Sequence, residues 1–334
     1  MCDMKLSRKF IIILGIVLLL IYPLIETKDF RIFLTNRALL HAILVSGLVF
    51  LTGFAGQISL GQAGFYAIGA YGTALLTTRL GLPIPVGIIG GTLLSLVAGL
   101  ILSVPSFTLK AFFLSLVTIS FGQVVWIIII NAIPLTGGPG GLFGIPQFHI
   151  GDYFFGNKAY YYVFLAILCI SILLMYRIKH SYIGRSMFAI NDDEIAAESC
   201  GISSKKAKVF AFGFSSSLAG LAGALYAHFA GFLSPEPFAF GESANFVAMA
   251  VIGGLKHMSG GIIGGVTLTF LPELLKFKGW ETYYLLVTSL IAILFVVLLP
   301  EGLGPNLSKL LDKIFGSRKD MTQTLHHIRK GSNR

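Results

Sequence analysis

The sequence predicts an all-α polytopic membrane protein of about ten transmembrane helices, some of them short or broken, with one charged cytoplasmic helix between them. Three observations predict it. The 334 residues are 55% hydrophobic and 12% charged, with a mean hydropathy of +0.83, too apolar for a soluble domain of that length. Apolar runs of spanning length recur along the whole chain, so residues 1–334 read as a single transmembrane domain. The net charge of +10 gathers in the N-terminus, residues 177–208 and the tail 306–334. That is the distribution of cytoplasmic loops and not a nucleic-acid footprint.

Lys5, Arg8 and Lys9 precede a first apolar run over 10–24. It lacks a small-residue cleavage site before Ile25 and reads as an uncleaved span. A polar link over 26–37 leads to a second span beginning at Ala38, which breaks after Leu51. Gly56, Gln57, Ser59, Gly61, Gln62 and Gly64 follow at a depth where lipid-exposed irregular backbone would leave polar groups unsatisfied. The stretch is either a segment lining a route through the membrane or a tight loop at its surface.

Residues 65–78 complete the third span and 83–103 form the fourth, where Gly87, Gly91, Ser95, Gly99 and Ser103 repeat every four residues. Such a ladder lets helix backbones approach closely and predicts packing. The fifth span, 111–133, carries Thr118, Ser120 and Gln123, and Gln123 should point inward because an amide facing lipid is costly. A Gly- and Pro-rich link over 134–141 precedes the sixth span, 160–176, whose Tyr160, Tyr161 and Tyr162 suit an interfacial aromatic belt.

Residues 177–208 cannot sit in lipid, and their six flanking basic residues, Arg177, Lys179, Arg185, Lys205, Lys206 and Lys208, place them in the cytoplasm. Within them Asn191 is expected to cap a short helix, with Asp192, Asp193 and Glu194 in its first turn and Gly201 as its stop. Its small uncharged centre, Ile195, Ala196 and Ala197, fits a helix docked in a cytoplasmic partner's cleft or an ordinary surface helix joining two spans. A second ladder follows over 209–232, Ser215, Ala219, Gly223, Ala227 and Gly231, with His228 beside it as a hydrogen-bonded packing residue. Two short pieces, 243–255 and 260–275, look like broken helices, and 283–299 is the last span before the basic tail. Counting both short pieces as crossings brings the tail to the cytoplasm.

No G-x-x-x-x-G-K-[ST] occurs, and no acidic pair, Cys/His cluster or nucleophile-base arrangement lies in the apolar runs, so an enzyme is not expected. Cys2, Cys169 and Cys200 share no short spacing and read as free thiols. The carboxylates, Glu242, Glu273 and Glu301 among them, fall at segment ends, which argues against an ion-coupled carrier or stand-alone channel.

The motifs Gly53–Phe65 with Ile68–Tyr71, Leu135–Gly138 with Gly144–Pro146, Gly184–Arg185 through Ile190 to Glu194–Ala197 and Gly201, Ala219–Tyr226, and Val251–Gly254 occur in this order. With them, residues 40–305 resemble the M-type permease subunits of bacterial branched-chain amino-acid ABC importers. The resemblance implies a multi-pass protein of the bacterial inner membrane, paired with a homologous second permease, two cytoplasmic ABC ATPases and an extracytoplasmic substrate-binding protein. It implies no cofactor in this chain, ATP being bound by the partners. It also implies an ATPase-coupling segment at Asp193, Glu194, Ile195, Ala196, Ala197 and Gly201, with Ile195 where the family pattern has glutamate. A translocation pathway is expected along Gly56–Gly64, Thr118, Gln123, Gly253 and Gly254. Urea and short-amide importers use similar permeases, and no residue excludes them.

Overall fold

A computed structural model describes residues 19–107, 109, 111–150, 153–255, 257–276, 290, 294, 302 and 303. Most of the expected first span, nearly all of the expected last span, the tail and Cys2 lie outside these residues. Among the described residues the architecture is helical, apart from a two-residue antiparallel ladder between His149–Ile150 and Tyr153–Phe154.

The helices are α1 (Asp29–Val49), α2 (Gln62–Thr78), α3 (Ile84–Ser103), α4 (Ala111–Asn131), α5 (Asn157–Lys179), α6 (Tyr182–Asp192), α7 (Glu194–Ser199), α8 (Ser204–Ala230), α9 (Phe240–Gly253) and α10 (Gly260–Lys276), with a single helical turn at Ile133–Thr136. Among the described residues five helices are long and apolar enough to cross a membrane: Asp29–Phe54, Ile84–Phe107, Phe112–Asn131, Asn157–Lys179 and Ser204–Ala230.

The span containing α1 corrects a boundary. Residues 29–37, expected as part of a polar link, are helical: no glycine or proline separates Asp29 from the apolar segment, so the helix of that segment extends back over them. α8 lies at the centre and packs on α3, α2 and α1, while α10 and α5 cover other sides of α1. Both expected ladders sit at these contacts. In α3 all five ladder residues, Gly87, Gly91, Ser95, Gly99 and Ser103, are buried. The Ser95 hydroxyl reaches the backbone carbonyl of Ser216 on α8 at 2.7 Å. In α8 Ser215, Ala219, Gly223 and Ala227 are buried, whereas Gly231 ends the helix in the left-handed region, φ +68°. Where side chains are this small, van der Waals contact between backbones joins the helices.

His228 is buried and hydrogen bonded through both ring nitrogens, to Thr73 at 3.1 Å and the Pro146 carbonyl at 2.7 Å, as expected of a packing residue. The aromatic belt is different from expectation. Tyr160 and Tyr161 are buried and only Tyr162 of the three is exposed. The Tyr160 hydroxyl donates to the His228 carbonyl at 2.8 Å, a bond available only on the inward face.

Candidate functional site

The charged segment between α5 and α8 folds as two short helices instead of one. Ser181 opens α6, its hydroxyl accepting from the Gly184 N–H. Asp193 then adopts extended backbone and caps α7, one carboxylate oxygen accepting from the N–H groups of Ile195 and Ala196 at 2.9 and 3.0 Å. Asn191, the expected cap, is instead in the last turn of α6 and donates through Nδ2 to the Gly53 carbonyl at 3.1 Å. The break after Asp192 frees the next side chain to cap, and Asp193 is placed for it.

The far end of α7 follows expectation. Gly201 has φ +81°, with its N–H bonded to the Glu198 carbonyl and that of Ile202 to the Ala197 carbonyl. This paired closure needs a left-handed residue, which glycine supplies without a Cβ penalty. Ser203 caps α8 immediately afterwards.

One glutamate fastens α7 to the membrane helices. A Glu194 oxygen meets the Lys208 ammonium at 2.6 Å and accepts from the Ser204 hydroxyl. Lys208 is buried and also donates to the Ser106 carbonyl at 3.2 Å, just past α3. Burial pushes the Glu194 carboxyl up, but the hydrogen bonds from Lys208 and Ser204 outweigh it and hold it below the usual carboxylate range. Lys208 was expected only as a topology-setting charge; the sequence carries no signal pairing it with a residue 14 positions earlier.

This anchoring fixes which face of α7 is presented. Ile195 is 80% exposed, Ala196 and Glu198 are exposed, and Ala197 is 5% exposed among the core residues. Ala197 therefore belongs to this chain's own packing and not to the outward face on which it was expected. With Glu194 and Ala197 turned inward, Ile195 is left on the outside.

The broken stretch lies inside the bundle. α1 ends in a π-helical turn, Phe50–Phe54, a form that frequently marks functional positions. Irregular chain runs from there to Gly61. Gln57 is buried with its amide on the Ala55 carbonyl at 3.3 Å, and Ser59 is buried with its hydroxyl on the Gly61 N–H. Thr118 on α4 accepts from the Leu60 N–H at 3.0 Å. Gln62 opens α2 and donates to the Ser215 hydroxyl at 3.1 Å. The Ala63 N–H, one of the donors a helix start leaves free, goes to the Ser243 hydroxyl of α9 at 3.0 Å.

Gly61 and Gly64 let α4 close on this stretch: a Cβ at Gly61 would strike the Thr118 carbonyl, and one at Gly64 would lie 3.0 Å from Gly122. Irregular backbone at membrane depth is tolerated when it is enclosed by protein in this way. Gly56, at φ +65°, lies directly against the Asn191 side chain, so the break also touches the end of α6.

The other expected pathway residues are elsewhere. Gln123 is half-buried further along α4. Gly253 and Gly254 close the tip of the α9–α10 hairpin, where a Cβ on Gly253 would strike the Gly260 carbonyl. Glu242, expected at a segment end, is in the first turn of α9 beside Ser243, and hence next to the buried start of α2. The link before α9 buries Leu233 and Phe238, while Phe240 and Gly241 at the helix start are exposed. Ser215 and Ser243 were not anticipated as partners of the break; a serine in a helix's first turn was the available sign for Ser243.

Long apolar helices packed around a break enclosed by protein define a multi-pass membrane protein. A family described as branched-chain amino acid transport system / permease component matches residues 30–298, and the chain belongs to this family of ABC-transporter permeases. It is 31% identical over 323 residues to the high-affinity branched-chain amino acid transport system permease protein LivM of Escherichia coli, covering 90% of this chain and 75% of that protein. The LivM of Salmonella typhimurium matches to the same extent. The ribose import permease protein RbsC of Haemophilus influenzae is 28% identical over 314 residues, covering 89% of this chain and 94% of that protein. No solved structure matches the chain.

Proposed function

We propose that this chain is the permease subunit of an ABC importer for branched-chain amino acids in a bacterial inner membrane, with about ten crossings and both termini cytoplasmic. It pairs with a homologous second permease to enclose the translocation pathway. Two cytoplasmic ATPases supply the energy and an extracytoplasmic binding protein delivers the cargo. The observation that carries the reading is α7, capped at Asp193, closed at Gly201 and fastened through Glu194, which holds Ile195 outward at 80% exposure. An apolar side chain so placed fits a partner's cleft.

The contact of Asn191 with Gly53 and Gly56 offers a route from the docked segment to the break in the membrane. Movement of α6 and α7 would be felt first at the π-helical end of α1. The LivM relatives favour branched-chain amino acids as cargo. The ribose permease relative and the resemblance to urea and short-amide permeases make the alternatives concrete.

Two measurements test this reading. In a Cys2→Ser, Cys169→Ser background, an impermeant maleimide is expected to modify Cys200, which is exposed, only from the cytoplasmic face. Labelling from outside reverses the topology. The complex reconstituted with its partners is expected to take up leucine, isoleucine or valine only with ATP and loaded binding protein. Uptake of urea or ribose instead reassigns the cargo, and ATP-independent uptake by this chain alone makes it a carrier or channel.

A further inference from the structure

A groove runs between α3 and α8, apart from the coupling segment and the broken stretch, with a volume of about 510 Å³. Leu96 and Leu100 of α3 form one wall, and Phe210 and Phe214 of α8 form the other. The two rings lie nearly parallel, 11° apart, and Phe214 also packs against Phe50 of α1, with 4.6 Å between centroids. Gly213 sets the depth, since a Cβ there would lie 3.1 Å from both Leu96 Cδ1 and Leu100 Cδ2. Ser217 lies at one end, its hydroxyl donating to the Phe214 carbonyl at 2.8 Å. Lys205 and Lys206, both exposed, lie at the other.

The length of the groove matches one leaflet. α8 has 27 residues and rises about 40 Å, the thickness of a bilayer with its headgroups. Its exposed lysines reach water or headgroups and not acyl chains, so the start of α8 lies at the membrane surface. Ser217 falls at the middle of the helix and hence near the midplane. From Lys205 to Ser217 is roughly 18 Å. The volume of about 510 Å³ over that length makes a channel roughly 6 Å wide. A helix, about 10 to 12 Å across with its side chains, does not fit it. A single alkyl chain does, because its carbons make contact at about 4 Å. Below the lysines, Ser217 is the one polar side chain among the described lining residues, and it is already bonded. At the mouth Lys208 is paired with Glu194, whereas among the described residues Lys205 and Lys206 have no carboxylate partner.

We propose that this groove binds an anionic phospholipid, with one acyl chain between α3 and α8 and the phosphate at Lys205 and Lys206, in the leaflet on the side of α7. Charge and shape both specify it. Basic side chains at a membrane surface attract anionic lipid, and long lysine stems cover apolar surface while their ammonium groups stay at headgroup level. A zwitterionic phospholipid has the same chain without the net charge. Free phosphate has the charge and nothing to fill the channel. The site does not involve the cargo, so it stands or falls separately from the transport reading.

The test uses the assembled complex, purified in detergent and washed free of lipid, with binding followed by native mass spectrometry. Dioleoylphosphatidylglycerol is expected to occupy one tight site on this subunit. Dioleoylphosphatidylcholine, with the same chains, should bind at least about tenfold more weakly. Inorganic phosphate should not displace the bound lipid. Lys205→Gln combined with Lys206→Gln is expected to weaken phosphatidylglycerol about thirtyfold, roughly fivefold for each lysine. Lys205→Arg combined with Lys206→Arg, which keeps both charges, should bind within about threefold of the parent. Leu100→Trp keeps both lysines and narrows the channel, and should weaken binding at least about tenfold. All three positions are exposed, so the lipid-free melting temperatures of these variants should match the parent's.

Equal binding of the two phospholipids, or displacement by phosphate, overturns the proposal. So does unchanged binding to the double glutamine variant. Undiminished binding to Leu100→Trp leaves only attraction to surface charge, and the groove fails as a lipid site. A parent complex without lipid at this place, whose pairing with the second permease is lost in Leu100→Trp, makes the groove a contact between permeases and overturns the proposal as well.

Discussion

Ile195→Lys is expected to abolish cargo-stimulated ATP hydrolysis while leaving the permease inserted, folded and paired with its homologous partner. The side chain is 80% exposed and touches nothing this chain needs for stability. Once α7 enters its partner's cleft, however, an unpaired ammonium there loses its hydration, and truncating or mismatching a buried charge at an interface costs about 2 to 5 kcal/mol. Docking should weaken at least about thirtyfold. Co-purification of the ATPase and stimulated hydrolysis in the reconstituted complex measure it.

Ala197→Glu serves as the contrast, since Ala197 is 5% exposed and belongs to this chain's core. That variant should lower the yield of the permease itself. Gly201→Val should fall between the two: a Cβ there meets nothing within 4 Å, leaving only the backbone penalty at φ +81°, about 1 to 2 kcal/mol. If Ile195→Lys binds and couples as well as the parent, α7 is a solvated connector, and the proposed ATPase docking through it fails.

These expectations differ in how far the sequence alone carried them. The stop at Gly201 was legible because a glycine after a charged helical run has one strong local reason to be there. The ladder in α3 was legible because a four-residue period of small side chains survives any error in the helix boundary. The cap was not. Asn191 and Asp193 are both good capping residues two positions apart, and the choice depended on where α6 ended, which its packing through Met187 and Ile190 decides. The outward face of α7 was equally hidden, since six residues give too little periodicity to separate Ile195 from Ala197.

The start of α1 was missed for another reason. A hydropathy reading begins a span where the charges end, whereas α1 begins at Asp29, before the apolar run does. The partner of the α2 start was equally hidden: a helix must find acceptors for its first N–H groups, and Ala63 finds one 180 positions later in Ser243.

Gly69→Ala is expected to cause a large loss of folded protein, although it adds a single methyl group. An ideal Cβ at Gly69 would lie 2.5 Å from the Cα of Gly220 on α8 and 2.6 Å from its carbonyl carbon. Both are backbone atoms, with no flexible side chain to move aside. The contact of α2 with α3 is also tight, for a Cβ at Gly91 of α3 would lie 2.6 Å from the Gly69 carbonyl oxygen and 2.9 Å from the Thr73 nitrogen. Relief therefore requires α2 to withdraw from α3 and α8 together, and overpacking of well-filled sites already costs about 1 to 3 kcal/mol where side chains can yield. Gly72→Ala is the control on the same helix. Its Cβ would meet the Leu94 Cδ1 at 3.0 Å, the far end of a side chain that can change rotamer. Thermal unfolding in detergent should place Gly72→Ala near the parent and Gly69→Ala far below it, with little protein recovered. Equal stability of the two variants would mean that α2 and α8 do not approach through Gly69 and Gly220, and the central packing of the bundle would have to be redrawn.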